Sequence, residues 1–148
     1  MIPARTAEGI LRTTEDYESV RRLALDSGLE DGRFDGIIRV YGYYIGEELV
    51  GCVALKLSRG EYSVEWLAVR ERDRGKGFGR KLVERVVADA KEQGAKELWA
   101  LARTPGFFLH MGFVVSPEGN QRGPTVETCR KCPQFNVTCS PKVVAMAL

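Results

Sequence analysis

The chain has 148 residues, enough for one ordinary domain, since two cores of half that length would each be marginal. Hydrophobic residues at 44% and charged residues at 28%, with a mean hydropathy of -0.21, supply a core and argue against general disorder. Twenty-two Lys and Arg against twenty Asp and Glu leave a net charge of +2, too small an excess to mark a nucleic-acid or membrane-surface binder. No apolar run approaches the roughly 20 residues that span a bilayer, and the start has no basic stretch followed by an apolar one. The expectation is a cytoplasmic protein with neither nucleic acid nor membrane as a partner.

In chain order, Ile10 to Arg12 reads as a short strand. Thr14 or Asp16 can then cap a helix with Tyr17, Val20, Leu23 and Ala24 on one stripe, stopped by Gly28. Glu30 to Gly36 is charged and glycine-bearing, hence a loop, a frayed helix or a lid on the substrate side. Three strand-like runs follow: Ile37 to Ile45, Leu49 to Leu57 and Tyr62 to Val69. Short turns at Gly46-Glu47-Glu48 and Ser58-Arg59-Gly60 make them an antiparallel meander. Beyond the glycines near 77 the period changes to that of a helix. Leu82, Val83, Val86, Val87 and Ala90 lie on one face, with Lys81, Glu84, Arg85, Asp89 and Lys91 opposite. Gly94 ends it. A strand from Glu97 to Leu101, a short helix from Pro105 to Met111, and strands at Phe113–Val115 and Lys142–Leu148 complete the count. The order β-α-β-β-β-α-β-α-β-β makes an α/β fold with a mixed sheet. The long helix is a crossover, so the strands that it joins should be parallel.

The informative stretch runs from Leu67, Ala68 and Val69 through Arg74-Gly75-Lys76-Gly77-Phe78-Gly79-Arg80-Lys81. Three glycines let the backbone approach a ligand closely, and the N–H groups that open a helix have no partner within it. Together they form a phosphate cradle, with Arg74, Lys76, Arg80 and Lys81 as mobile positive charge around it. The spacing is neither that of a dinucleotide fold nor that of a Walker loop. The plainer alternative is a glycine-rich turn with solvated charges.

Arg74-x-x-Gly77-x-Gly79, after a strand ending Leu67-Ala68-Val69 and opening an amphipathic helix, resembles the acyl-CoA pyrophosphate motif of the GNAT acyltransferase superfamily. Phe107-Phe108-Leu109-His110-Met111-Gly112-Phe113 is similar to that family's Phe-Tyr-x-x-x-Gly-Phe segment. The resemblance is firm from about 61 to 115. It implies one GNAT-type domain over 1–148, with a mixed, mostly antiparallel sheet flanked by helices and splayed central parallel strands at 61–69 and 97–102. It also implies acetyl-CoA as co-substrate in the opening between those strands. The pyrophosphate would take N–H groups from Gly75, Lys76, Gly77, Phe78 and Gly79, beside Arg74 and Arg80. The pantetheine would pair with the strand edge at Leu67, Ala68 and Val69, against Phe107 and Phe108. A backbone N–H near a bulge in that strand would polarise the thioester carbonyl, and an amine would attack it directly.

In this superfamily a carboxylate on the central strand often takes the amine's proton through water. Residues 63, 65, 67 and 69 share a face of a regular strand, which makes Glu65 the candidate base; a salt-bridge or solvent-facing role is the alternative. Where many members carry a tyrosine, this chain has Phe108, which has no proton for the leaving thiolate. His110 lies two positions on, and a lone histidine more often packs or caps. The stretch from Leu98 to Phe108 is similar to the short, stand-alone N-acetylglutamate synthase group. That resemblance implies an α-amino acid acceptor, glutamate first; an acidic acceptor needs basic side chains, and Arg39, Arg103 and Arg122 are available for it. Acetylation of protein N-termini, lysine or small amines stays open, as do a homodimer and a CoA-binding or thiol–metal module without transfer.

Four cysteines remain. Cys52 stands alone, while Cys129, Cys132 and Cys139 fall in the C-terminal segment 126–148. Cys129-x-x-Cys132 has zinc-knuckle spacing, but three thiolates rarely close a structural tetrahedron. Reduced thiols, or a Cys129–Cys132 disulfide formed on purification, are the favoured expectation over a metal site.

Overall fold

The structure is a computed structural model that describes residues 9–27, 36–102, 105–116 and 142–148. Among the described residues seven strands and three helices alternate as expected: β1 (Ile10–Thr13), α1 (Tyr17–Asp26), β2 (Ile37–Ile45), β3 (Glu48–Ser58), β4 (Glu61–Val69), α2 (Phe78–Glu92), β5 (Glu97–Ala102), α3 (Pro105–His110), β6 (Val114–Val115) and β7 (Lys142–Ala147). The strand order is β1-β2-β3-β4-β5-β7-β6. The chain divides into two compact units, Met1–Leu55 with Trp66–Val86, and Lys56–Glu65 with Val87–Leu148.

In the first unit β1 pairs antiparallel with β2, Ile10 opposite Tyr44. Asp16 caps α1, its carboxylate accepting from the Ser19 backbone N–H at 3.2 Å and the Ser19 hydroxyl at 2.7 Å. Val20, Leu23 and Ala24 are buried, and Val20 and Leu23 pack in a core with Val40, Cys52, Ala54 and Ala68. Tyr17 departs from the expected stripe and is 43% exposed. It is the first residue of α1, so no preceding turn of the helix covers it. The helix stops at Asp26 with Ser27 as its C-cap; the expected stop at Gly28 and the loop to 35 lie outside the described residues.

In the second unit β4 and β5 run parallel, with Tyr62 opposite Leu98 and Val64 opposite Ala100. Antiparallel β7 pairs with β5 on one side and β6 on the other. Its core holds Trp99, Val143 and Ala145, and the Trp99 indole N–H donates to the Glu61 carboxylate at 2.8 Å. Gly94, at φ 85°, ends α2 with its N–H on the Lys91 carbonyl and the Ala95 N–H on the Ala90 carbonyl. This pair of bonds needs a residue in the left-handed region. One residue of α2 corrects the expectation: Asp89, expected on the polar face, is buried at 7% exposure. It lies seven residues from Leu82, close to two full turns, which puts it in line with the apolar stripe.

Candidate functional site

The site begins in β4. The turn before it, Arg59-Gly60, has positive φ at both residues (55° and 79°), the two-residue hairpin geometry that sets Ser58 opposite Glu61. Further along, the Arg70 N–H donates to the Val50 carbonyl at 2.9 Å. Val50 lies eight residues before Ser58, while Arg70 lies nine after Glu61. β4 therefore carries one residue more than β3 over the same span, which is a bulge. Trp66, with φ 54°, marks where it sits. The regular alternation that placed 63, 65, 67 and 69 on one face is broken there: Ser63 and Ala68 are buried, and Glu65, Trp66 and Leu67 are all half-buried.

Glu65 immediately precedes the bulge. Its side chain is 31% exposed and stands 3.9 Å from the Lys56 ammonium, itself 33% exposed. Burial raises the Glu65 pKa above the usual carboxylate value, and the Lys56 charge pulls it partly back. The carboxylate is thus both an ion-pair partner and more basic than a surface glutamate, two properties that the residue type alone could not separate.

β4 leads into the glycine loop. A short 3-10 turn, Glu71–Asp73, precedes Gly75 at φ 79° and Gly77 at φ 85°. A Cβ at either glycine would meet nothing within 4 Å, so the loop faces open space and its glycines serve its backbone shape. α2 then starts at Phe78, and its first N–H groups lack helical acceptors. The loop holds its shape through Asp73, whose side chain is only 4% exposed and which takes the Arg70 guanidinium and, at 3.0 Å, the Lys76 ammonium. Hydrogen bonding to Arg70 holds the Asp73 carboxyl below its ordinary range. Arg70 also reaches Glu48 at 2.9 Å.

Each of the four basic residues expected around the cradle has a partner in the structure. The Arg74 Nε donates to the Val69 carbonyl at 2.9 Å, Lys76 is tied to Asp73, Arg80 is 3.3 Å from Glu84, and Lys81 lies over the Tyr43 ring at 5.8 Å. The carboxylates and π-face that hold them come from residues near in sequence or from β2. Phe78 packs on the same ring. Its ring is buried and stacked on Tyr43 at 4.4 Å, so only its backbone is available to a ligand. A cleft of about 350 Å³ beside the loop is lined by Leu23, Asp26, Ser27, Arg70, Glu71 and Arg74. Sequence reasoning missed Asp73 and Lys56; the Arg-x-x-Asp-x-x-Lys spacing from 70 to 76 was the available signal for the first.

In the second unit Phe108 is buried, edge-on to Phe107 at 5.2 Å and to Phe113 at 5.1 Å. His110 is exposed at the end of α3. Arg39 is exposed on β2, whereas Arg103, Arg122, Cys129, Cys132 and Cys139 lie outside the described residues. Cys52 is buried in the first unit. No helix among the described residues is long and apolar enough to cross a membrane.

Comparison with known proteins gives three results. Residues 37–115 match the family model of the acetyltransferase (GNAT) domain. The chain is 32% identical over 111 residues to an uncharacterised N-acetyltransferase of Chlorobaculum tepidum, covering 72% of this chain and 68% of that protein. Its fold is similar to N-acetylglutamate synthase of Neisseria gonorrhoeae solved with coenzyme A and N-acetylglutamate, at TM-score 0.71 and 23% identity over 96% of this chain. The chain spans 35% of that synthase. It is also similar to a GNAT acetyltransferase of Elizabethkingia anophelis with acetyl-CoA bound, at TM-score 0.68 and 18% identity, covering 95% of this chain and 99% of that one.

Proposed function

The chain belongs to the GNAT acetyltransferase family, and from that premise we propose that it transfers an acetyl group from acetyl-CoA to the α-amino group of an amino acid, glutamate first. One observation carries the reading. A single strand, β4, bears a half-buried carboxylate at 65 and a bulge at 66, and leads within a few residues into left-handed glycines at the start of a long helix.

The fit to a phosphate-bearing co-substrate rests on that loop. Its open side and the first N–H groups of α2 suit the CoA pyrophosphate, with Arg74, Gly75, Lys76, Gly77, Phe78, Gly79 and Arg80 contributing backbone or charge. The pantetheine takes the Leu67, Ala68 and Val69 edge. In the reaction the amine nitrogen attacks the acetyl carbon, the C–S bond breaks, and CoA leaves as thiolate. Glu65 takes the amine's proton through water. A thiolate whose parent thiol has a pKa of about 8–9, by analogy with cysteine, leaves without a protein acid and takes its proton from solvent, which suits phenylalanine at 108. A backbone N–H at the bulge holds the charge that develops on the carbonyl oxygen.

Arg39 and Arg103 are proposed for the acceptor's carboxylates, since guanidinium groups pair with them bidentately. That the synthase with a similar fold was solved with N-acetylglutamate supports glutamate as the first acceptor to test. The experiment follows CoA release from acetyl-CoA with each of the twenty amino acids, a peptide N-terminus and a lysine side chain. Fastest release with glutamate supports the proposal. A clear preference for the peptide or lysine rejects the amino-acid acceptor, and CoA binding with no release on any amine rejects transfer.

A further inference from the structure

We propose that Cys52 is a positioning residue for acetyl transfer: from β3, its thiol grips the bulged backbone of β4 and holds in place the N–H that faces the thioester. The inference rests on the acetyltransferase reading above and adds to it a residue that lies outside the cradle and the base.

A left-handed φ is strained at a residue other than glycine, and Trp66 at 54° persists only where its surroundings over-determine it. Two things hold it. Its side chain packs against the core of Val20, Cys52, Ala54 and Ala68, and its carbonyl accepts from the Cys52 thiol at 3.2 Å. The Ala68 backbone also lies near enough to the sulfur to favour its ionised form, against the larger effect of burial. The sulfur thus bonds to the backbone just before Leu67 and packs in one core with Ala68 just after it. The other acceptor in reach, the Val20 carbonyl, is farther off at 4.0 Å, so the proton points to Trp66.

The thiol suits this task. It is fully buried, so water cannot replace it, and burial pushes its pKa up to about 12, so it keeps its proton at any working pH. A thiol is a weak donor in water, but in a dry core an unmade bond at the Trp66 carbonyl is costly. Without it the bulge can relax toward a regular pleat. The donor at the carbonyl oxygen then shifts, while the CoA loop, held by Asp73, stays as it was. Small displacements of such donors cost rate rather than binding.

The test compares Cys52→Ala, Cys52→Val and Cys52→Ser with Val20→Ala, using acetyl-CoA and L-glutamate or the best amine of the screen. Val20→Ala opens a cavity in the same core but keeps the thiol. Cys52→Ala and the fuller Cys52→Val should each lower kcat about tenfold, with the affinity for CoA within twofold of wild type. Cys52→Ser should recover most of the loss, and Val20→Ala should keep kcat within twofold despite lower stability. Amide exchange at Ala68 should quicken in Cys52→Ala and Cys52→Val and not in Val20→Ala. Equal kcat losses in Val20→Ala and Cys52→Ala would reduce the thiol to packing and overturn the proposal. If wild type releases no CoA with any amine, the transfer reading fails by itself. Exchange at Ala68 then decides whether the thiol holds the bulge, and unchanged exchange in both donor-less variants overturns it.

Discussion

The Lys56 ammonium and the Glu65 carboxylate stand 3.9 Å apart on β3 and β4, each about one-third exposed. Their effects on the carboxyl oppose one another. Burial makes the ionised form of Glu65 less favourable, and the lysine makes it more so, with burial the larger. The balance sets the pH at which Glu65 can accept a proton.

For the reaction, Glu65→Gln is expected to lower kcat roughly a hundredfold or more, leaving the affinity for CoA unchanged. In wild type the rate should fall as pH drops through the raised Glu65 pKa, because the protonated carboxyl has lost its basic site. That acidic limb should be absent from the glutamine variant. Rate profiles across pH for the two proteins check this, and a variant with near-normal turnover and an unchanged profile returns Glu65 to an ion-pair role.

Lys56→Met removes the charge that favours the carboxylate. The acidic limb should then move to higher pH, with kcat on the alkaline plateau little altered. A limb at the wild-type position would mean that the ion pair does not form in solution.

Stability should follow the same group. The folded pKa of Glu65 lies above its ordinary value of 4.5, so its contribution is fully present below 4.5 and is lost as pH rises through the folded pKa. Measured against wild type, Glu65→Gln should therefore gain relative stability from acid to neutral pH. Urea titrations at several pH values read this trend, and a difference independent of pH contradicts it.

Asp73 carries the opposite sign. Its folded pKa is held below 3.8, chiefly by Arg70, so its contribution is present above 3.8 and is lost only as pH falls through the lower folded value. Asp73→Ala leaves Arg70 and Lys76 without their buried acceptor and should cost about 1–3 kcal/mol. CoA affinity should fall as well, because the loop loses the group that shapes it. Denaturation and calorimetry of this variant separate the two effects, and unaltered CoA affinity would show that the loop needs no such anchor.

Gly77→Asp should abolish CoA binding while the protein stays folded. At φ 85° any side chain is strained, and a carboxylate there repels the pyrophosphate. Calorimetry with CoA tests this, and a folded variant with wild-type affinity would place the phosphates elsewhere.

Much of the fold was legible because its signals are local. Val20, Leu23 and Ala24 recur at helical spacing, and the β-branched runs at 37–45 and 49–57 are separated by short glycine turns. Gly77 and Gly79 open an amphipathic helix at a spacing that few other structures require. These depend on the chain's own period and on backbone freedom, which a sequence carries by itself. The bulge at Trp66 was not legible as a residue: an extra position in one strand is defined only by counting against its neighbour, and nothing in Val64-Glu65-Trp66-Leu67 marks it. The hold of Asp73 on Lys76, the burial of Phe78 on Tyr43 and the reach of Cys52 to the Trp66 carbonyl were decided by the packed structure. Each depends on how far apart two side chains end once distant strands have paired, and charge or apolarity in the sequence says nothing of that distance.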